Sequence, residues 1–285
     1  MKNLAYILLA AAAALAFSPR YAPASTLYAT IGATTPNGFD DVYTINQSTG
    51  AGTLLGSSGI NPGWMGDLTS NNTTTLWAAD VINYNLVTIN PTTGAGTVVG
   101  PFVDASSGSA TPITSLAYNT AASAAPGGLY GNSTPTFGGP PGGDLLYSIN
   151  ATTGTTTEIG PIGFSNIYAL AFNNNGNLFG VDTDNQLIGI NPTSGAGTLI
   201  ATLTVPGIYD IAARPEDNVM FATASDNDIY TLNTTTGALT DVGPHGIGNT
   251  VGLAFLTVPE PTSLGLLATG GLSMVMLLVV RRRRA

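Results

Sequence analysis

The chain has no cysteine, a single histidine and almost no base outside its two ends. Without cysteine the fold must hold without disulfides, although an exported protein could form them. One histidine excludes a His-based zinc site, which needs several His or Cys ligands. It also leaves a Ser nucleophile with a single candidate base, His245. That residue sits in Gly243-Pro244-His245-Gly246 and reads as a solvated loop residue. Neither GxGxxG nor GxxxxGK[ST] occurs, and no amphipathic helix of useful length lies between Ser25 and Val258. Of seven basic residues, Lys2 and Arg20 lie near the start and Arg281–Arg284 near the end. Between Ser25 and Val258 only Arg214 faces 15 acids, a net charge of −14, with no lysine. Such a surface repels nucleic acid and anionic lipid, because phosphate binding draws on Lys and Arg.

The two ends read as addresses. Lys2 followed by the apolar stretch Leu4–Phe17 and the A-x-A site Ala22-Pro23-Ala24 predicts a signal peptide over 1–24 and a mature start at Ser25. At the other end, Ser263–Val280 is 18 residues without a charge. As a helix it reaches about 27 Å, enough to span a bilayer core. Arg281, Arg282, Arg283 and Arg284 follow at once and place that side in the cytoplasm. Pro259-Glu260-Pro261 precedes the span.

Proline, acid, proline, a span and a terminal Arg cluster resemble the PEP-CTERM sorting signal over Val258–Ala285. The resemblance implies an exosortase-type membrane enzyme of Gram-negative bacteria as processing partner. It also implies an inner-membrane-anchored intermediate, then surface display or release, and association with exopolysaccharide and biofilm. The expected layout is therefore a signal peptide (1–24), a body (25–257) and a sorting tail (258–285).

The body repeats itself. Tyr43-Thr44-Ile45-Asn46-Gln47-Ser48-Thr49-Gly50 returns at Asn90–Gly94, Asn150–Gly154, Asn191–Gly195 and Asn233–Gly237. The Asn positions lie 44, 60, 41 and 42 residues apart, and a period of 40 to 45 with several strands per unit, lengthened in the third by an insertion, is that of a propeller blade. The constant Asn-to-Gly spacing predicts a hairpin in which Asn starts the turn and Gly takes positive φ. The fourth unit shows a whole blade: strand A at Ile167–Phe172, B at Asn177–Asp182, C at Gln186–Asn191 and D at Gly197–Ala201. The first unit lacks a strand A and the last strand A, Thr250–Leu256, lacks a B, C and D. Together they predict an all-β, five-bladed β-propeller of four-stranded blades, its first blade closed by the C-terminal strand. A parallel β-solenoid is the alternative, but it does not need this matched deficit. The layout resembles NHL-like propeller repeats in general form. Ala121–Gly128 and Asn132–Gly143, rich in Gly, Pro and Ser, predict mobile surface loops in the third unit.

The acids are placed unevenly. Asp40, Asp41, Asp80, Asp144, Asp182, Asp184, Asp226 and Asp228 fall on or beside the B–C connections. They serve either as turn residues or, clustered on loops, as oxygen ligands for Ca²⁺. Aligned strands A carry Asp67, Ser115, Ala169, Asp210 and Gly252 at one position facing the central channel. Asp67 and Asp210 flank the closing blade, and a buried carboxylate needs a partner. The partner is a shared cation or water, or nearby backbone and hydroxyl groups. Trp64, Trp77, Tyr84 and Phe137 are candidates for stacking on sugars, with core packing the simpler role for Trp77.

These features point to an exported, non-catalytic, monomeric surface or matrix protein that needs no cofactor and offers a propeller face to glycans or surface proteins. The alternative is a polysaccharide hydrolase or lyase working through propeller-face carboxylates.

Overall fold

The computed structural model describes residues 24–32, 41–60, 64–121, 128–135, 138–139, 142–248 and 250–257. The predicted signal peptide, the apolar span and the expected sorting residues Pro259, Glu260, Pro261 and Arg281–Arg284 lie outside them, as do Asp40 and Phe137. Among the described residues no helix is long and apolar enough to cross a membrane.

Five sheets form the domain. The first three strands are β1 (Ser25–Ile31), β2 (Asp41–Ile45) and β3 (Gly52–Ser57). Blade 2 holds β4 (Met65–Ser70), β5 (Leu76–Asp80), β6 (Asn85–Ile89) and β7 (Gly96–Pro101). Blade 3 holds β8 (Val103–Asp104), β9 (Ile113–Tyr118), β10 (Leu129–Ser133), β11 (Leu145–Ile149) and β12 (Thr155–Pro161). Blade 4 is β13 (Ile167–Phe172), β14 (Leu178–Asp182), β15 (Gln186–Ile190) and β16 (Gly197–Thr202). Blade 5 is β17 (Ile208–Ala213), β18 (Met220–Ala224), β19 (Asp228–Leu232) and β20 (Leu239–Pro244). The last strand, β21 (Thr250–Thr257), pairs antiparallel with β1 from Ser25↔Thr257 to Ile31↔Thr250 and completes blade 1. Inner strands β21, β4, β9, β13 and β17 each touch the next, and the ring closes. The domain is a five-bladed propeller.

Strand character follows radial position. Strands β5, β10, β14 and β18 are buried along their whole length, between neighbouring strands and neighbouring blades. Strands β3, β7, β16 and β20 repeat one pattern, exposed at the second, third and last residues and half-buried at the others, as outer edges do. Each seam between blades has its own apolar cluster. Leu27, Phe221 and Phe255 join blades 5 and 1, and Met65, Leu76 and Ala254 join blades 1 and 2. Phe102 and Leu116 lie between blades 2 and 3, Tyr130 and Phe172 between 3 and 4, and Ile208 and Phe179 between 4 and 5.

The Asn–Gly phrase folds as expected. The side-chain oxygens of Asn46, Asn90, Asn150, Asn191 and Asn233 each accept the N–H two residues on, at 2.8–2.9 Å. Gly50, Gly94, Gly154, Gly195 and Gly237 take φ between 73° and 82°. A second reason for glycine was not legible in one strand. A Cβ on Gly195 would stand 2.5 Å from the Gly160 carbonyl oxygen of blade 3, and one on Gly50 2.1 Å from that of Gly243 in blade 5. The hairpin tips therefore seat against the bulged outer strand of the preceding blade.

Two expectations need correction. Blade 3 has a fifth strand, because the two residues of β8 pair in parallel with β12 at its outer edge. Asn132, Ser133 and Thr134 are not loop residues on the surface but fully buried. Strand β10 pairs on both sides through Ser133, and Asn132 Nδ2 donates to Asp144 Oδ2 at 2.9 Å and to the Ile167 carbonyl at 3.0 Å. Residues 122–127, 136–137 and 140–141 of that insertion lie outside the described ones.

Candidate functional site: the axial channel and the turn carboxylates

Asp67 and Asp210 sit at the same level of β4 and β17 and are wholly buried in the channel. Asp67 Oδ1 accepts the Leu68 N–H at 2.5 Å, and Oδ2 that of Leu116 at 2.7 Å. Asp210 Oδ1 accepts the Ile211 N–H at 2.7 Å, Oδ2 that of Leu253 at 2.5 Å, and the carboxylate also takes the Leu170 N–H. These five amides occupy one aligned position in the five inner strands. Two carboxyl groups thus collect one backbone donor from every blade.

The two carboxyl groups also interact directly with each other. Two like charges in direct contact away from water cannot both persist, so the pair keeps one proton. Burial, the charge of Asp210 and the hydrogen bond between the two hold Asp67 well above the usual carboxylate range. Burial likewise raises Asp210, against its hydrogen bonds. The structure therefore brings Asp67 and Asp210 together, with each other and with backbone amides as partners. The aligned small residues complete the level. Ser115 Oγ donates to the Tyr168 carbonyl at 2.8 Å, and a Cβ on Gly252 would stand 2.3 Å from Thr30 Oγ1. Further along the channel a cavity of about 30 Å³ bounded by Leu68, Tyr118, Leu170, Ile211 and Leu253 has room for little more than water.

The turn acids divide into two kinds. Asp41, Asp80, Asp144 and Asp182 are buried. Asp80 Oδ1 accepts the N–H groups of Ile82 and Asn83. Asp182 Oδ1 accepts those of Asp184 and Gln186 at 3.0 and 2.8 Å, and burial raises its carboxyl. Asp144 reaches into the next blade, accepting the N–H groups of Asn166 and Ile167 at 2.9 and 2.8 Å. Burial pushes it up to about 6 against these bonds. These are turn and seam bonds, the role any short acceptor can take. Asp184 and Asp226 are exposed and Asp228 half-buried. Asp226 Oδ2 accepts the Tyr230 hydroxyl at 2.7 Å. Asp184 shares a turn with Asp182, and Asp226 with Asp228. Among the described residues, no group of three or more His, Cys, Asp or Glu could hold a metal ion.

His245 overturns its sequence reading, being 2 % exposed. It follows strand β20 where Phe102, Ile162 and Leu203 follow the outer strands of their blades, all buried. Its N–H donates to the Asn227 carbonyl, just as Phe102 bonds Tyr84 and Leu203 bonds Asn185. This plug position is apolar in blades 2, 3 and 4 and is Ser58, also buried, in blade 1; burial pulls the His245 pKa down. Its Nδ1 accepts the Ile247 N–H at 3.3 Å, and Nε2 meets Thr250 Oγ1 at 3.4 Å. The aromatic candidates are also drawn inward. Trp77 stacks on Tyr118 at 5.2 Å, and Trp64 and Tyr84 pack against the cluster between blades 2 and 3.

No family model and no curated protein matches this chain. Solved structures match in fold. A chain of a nidogen/laminin complex superposes with TM-score 0.51 at 9% identity, over 82% of this chain and 98% of that one. A structural genomics protein of unknown function from Bacteroides thetaiotaomicron covers 76% of this chain and 50% of its own, with 15% identity and TM-score 0.44. A third, from work on the de novo evolutionary emergence of a symmetrical protein, covers 83% and 100%, with 16% identity and TM-score 0.49. The likeness to the first is one of propeller fold alone.

Proposed function

We propose that this is an exported, non-catalytic surface or matrix protein, a propeller scaffold that binds exopolysaccharide or other surface proteins and is sorted through its PEP-CTERM tail by an exosortase-type enzyme. The observation that carries the non-catalytic reading is the placement of the acids. Asp67 and Asp210 are buried and bonded to each other, and Asp80, Asp144 and Asp182 are buried against backbone N–H groups, which leaves Asp184, Asp226 and Asp228 as the face carboxylates open to solvent. Two carboxylates astride a sugar need open space between them, and the channel that holds Asp67 and Asp210 has none. The net charge of −14 between Ser25 and Val258 suits a solvated protein outside the cell.

A glycan array probed with the purified exported protein, in calcium and again in EDTA, tests binding. It also tests whether Asp182, Asp184, Asp226 and Asp228 use a cation. A reducing-sugar assay on the host's own polysaccharide tests the enzymatic alternative: sugar release above background overturns the reading. Deleting the host's exosortase tests sorting, since the protein should then accumulate with its tail attached.

A further inference from the structure

The only base of the body lies at the seam between blades 5 and 1. Arg214 Nε and Nη2 grip Asp217 at 2.9 and 2.6 Å, Nη1 donates to Gln47 Oε1 at 3.0 Å, and the guanidinium lies 5.1 Å over the Phe221 ring. Gln47 Nε2 in turn donates to the Ser25 carbonyl at 2.6 Å. Next to this network Glu216 turns both carboxylate oxygens to Ser25. Its Oε1 accepts the Ser25 backbone N–H and its Oε2 the Ser25 hydroxyl, the latter at 2.8 Å. Ser25 is 4% exposed, while Ala24 just before it is exposed. With Arg214 engaged by Asp217, the hydrogen bonds of Glu216 go to one residue 191 positions away.

A neutral amide offers that carboxylate a single N–H. A free α-amino group at the same atom offers up to three and a positive charge, so both partners of the bond are then ionised. We propose that Glu216 is the acceptor for a free α-ammonium at Ser25, so that removal of residues 1–24 replaces a hydrogen bond from a neutral amide by an ion pair that latches the first strand at the closing seam. This rests on the signal-peptide reading. Peptide hydrolysis between Ala24 and Ser25 consumes one water. It leaves a carboxylate on Ala24 and an amine on Ser25, which takes up a proton near neutral pH.

The absence of lysine between Ser25 and Val258 makes the test specific, because the α-amine is then the only primary amine of the processed protein. The exported protein is purified, its first residue read from intact mass, and the folded and urea-unfolded forms treated at pH 7.5 with an amine-acetylating ester. The expected result is a Ser25 start and slow acetylation of the folded form. A carboxylate partner that raises the amine's pKa by about one unit cuts its reactive fraction at pH 7.5 about sevenfold. Glu216→Gln should restore most of that rate, whereas Glu158→Gln, an equal charge change on a distant strand, should leave it slow. Should Glu216→Gln unfold the protein, the pH dependence of the wild-type rate decides: a midpoint higher in the folded than in the urea-unfolded form is expected, and equal midpoints overturn the latch. A Ser25 start with equal rates in the two forms overturns the latch and leaves the signal peptide standing. A first residue other than Ser25 overturns both.

Discussion

At the scale of single residues, the most consequential pair is Asp67 and Asp210. One proton between them lets one carboxyl donate while the other stays a full acceptor. Asparagine at position 67 keeps a donor toward Asp210 and gives up one acceptor, since its nitrogen cannot take an amide N–H. Asparagine at position 210 surrenders an acceptor to amides drawn from three blades, those of Leu170, Ile211 and Leu253. A buried donor left unpaired costs about 1–3 kcal/mol. Both variants should therefore lose stability by an amount of that order in urea unfolding at pH 7, with Asp210→Asn the worse. Equal losses would show that the third amide gathered by Asp210 adds nothing. His245 gives a second prediction. Its pKa is lowered in the folded state, so the stability it permits is present above the ordinary histidine value and is lost as pH falls through that region. His245→Leu installs the residue type found at the equivalent position 203. It should raise the melting temperature over wild type at pH 5 and change it little at pH 7.5. Asp144, raised to about 6, works in the opposite sense, losing stability as pH rises. Its contribution is common to both proteins and cancels in the difference.

At the scale of elements, the hairpin that ends each third strand couples blades. Gly195 has φ of +82° and is buried against Gly160, while Gly163 has φ of +83° with nothing within 4 Å of a would-be Cβ. Alanine at either site pays for the left-handed backbone, about 1–2 kcal/mol. Only at position 195 does it also push into the neighbouring blade, adding about 1–3 kcal/mol. Chemical denaturation of Gly195→Ala and Gly163→Ala should separate the two costs, and equal losses would remove the inter-blade role. The hairpins were readable because Asn and Gly act locally, within five residues. The collision at Gly195 was not, because it depends on a carbonyl 35 residues earlier on another sheet. The same limit explains His245 and Asn132. Polar residues in a Gly- and Pro-rich stretch read as loop, and only neighbouring strands bury them. The axial pair was half legible. Alignment of the inner strands placed Asp67 and Asp210 in the channel, but their bonds to each other and to five amides arise only when the ring closes.

At the scale of the whole molecule, closure by β21 joins the two ends of the domain. The strand supplies Phe255 to the cluster between blades 5 and 1, where it meets Phe221 at 5.3 Å. It also supplies Leu253, whose N–H reaches Asp210. Its end is tied into blade 2, where the Thr257 N–H donates to the Asn72 carbonyl at 3.0 Å and Ser70 Oγ donates to the Phe255 carbonyl. The fold thus holds its chain as far as Thr257, two positions before Pro259. A protein ending at Val258 keeps every one of these contacts and should melt as a single cooperative transition. One ending at Gly248 loses the strand, leaves Asp210 without the Leu253 amide, and exposes the edge of β1 along its whole length, an edge that invites pairing with other chains. It should unfold or aggregate, seen as loss of the β-sheet circular dichroism signal and as high-mass species on size exclusion. A monomeric, cooperatively melting protein ending at Gly248 would show that the ring does not depend on its last strand. The proposed sorting signal would begin directly after the closing strand, with a physical consequence: trimming at Pro259-Glu260-Pro261 should spare the fold, whereas a cut only a few residues earlier should take away its closure.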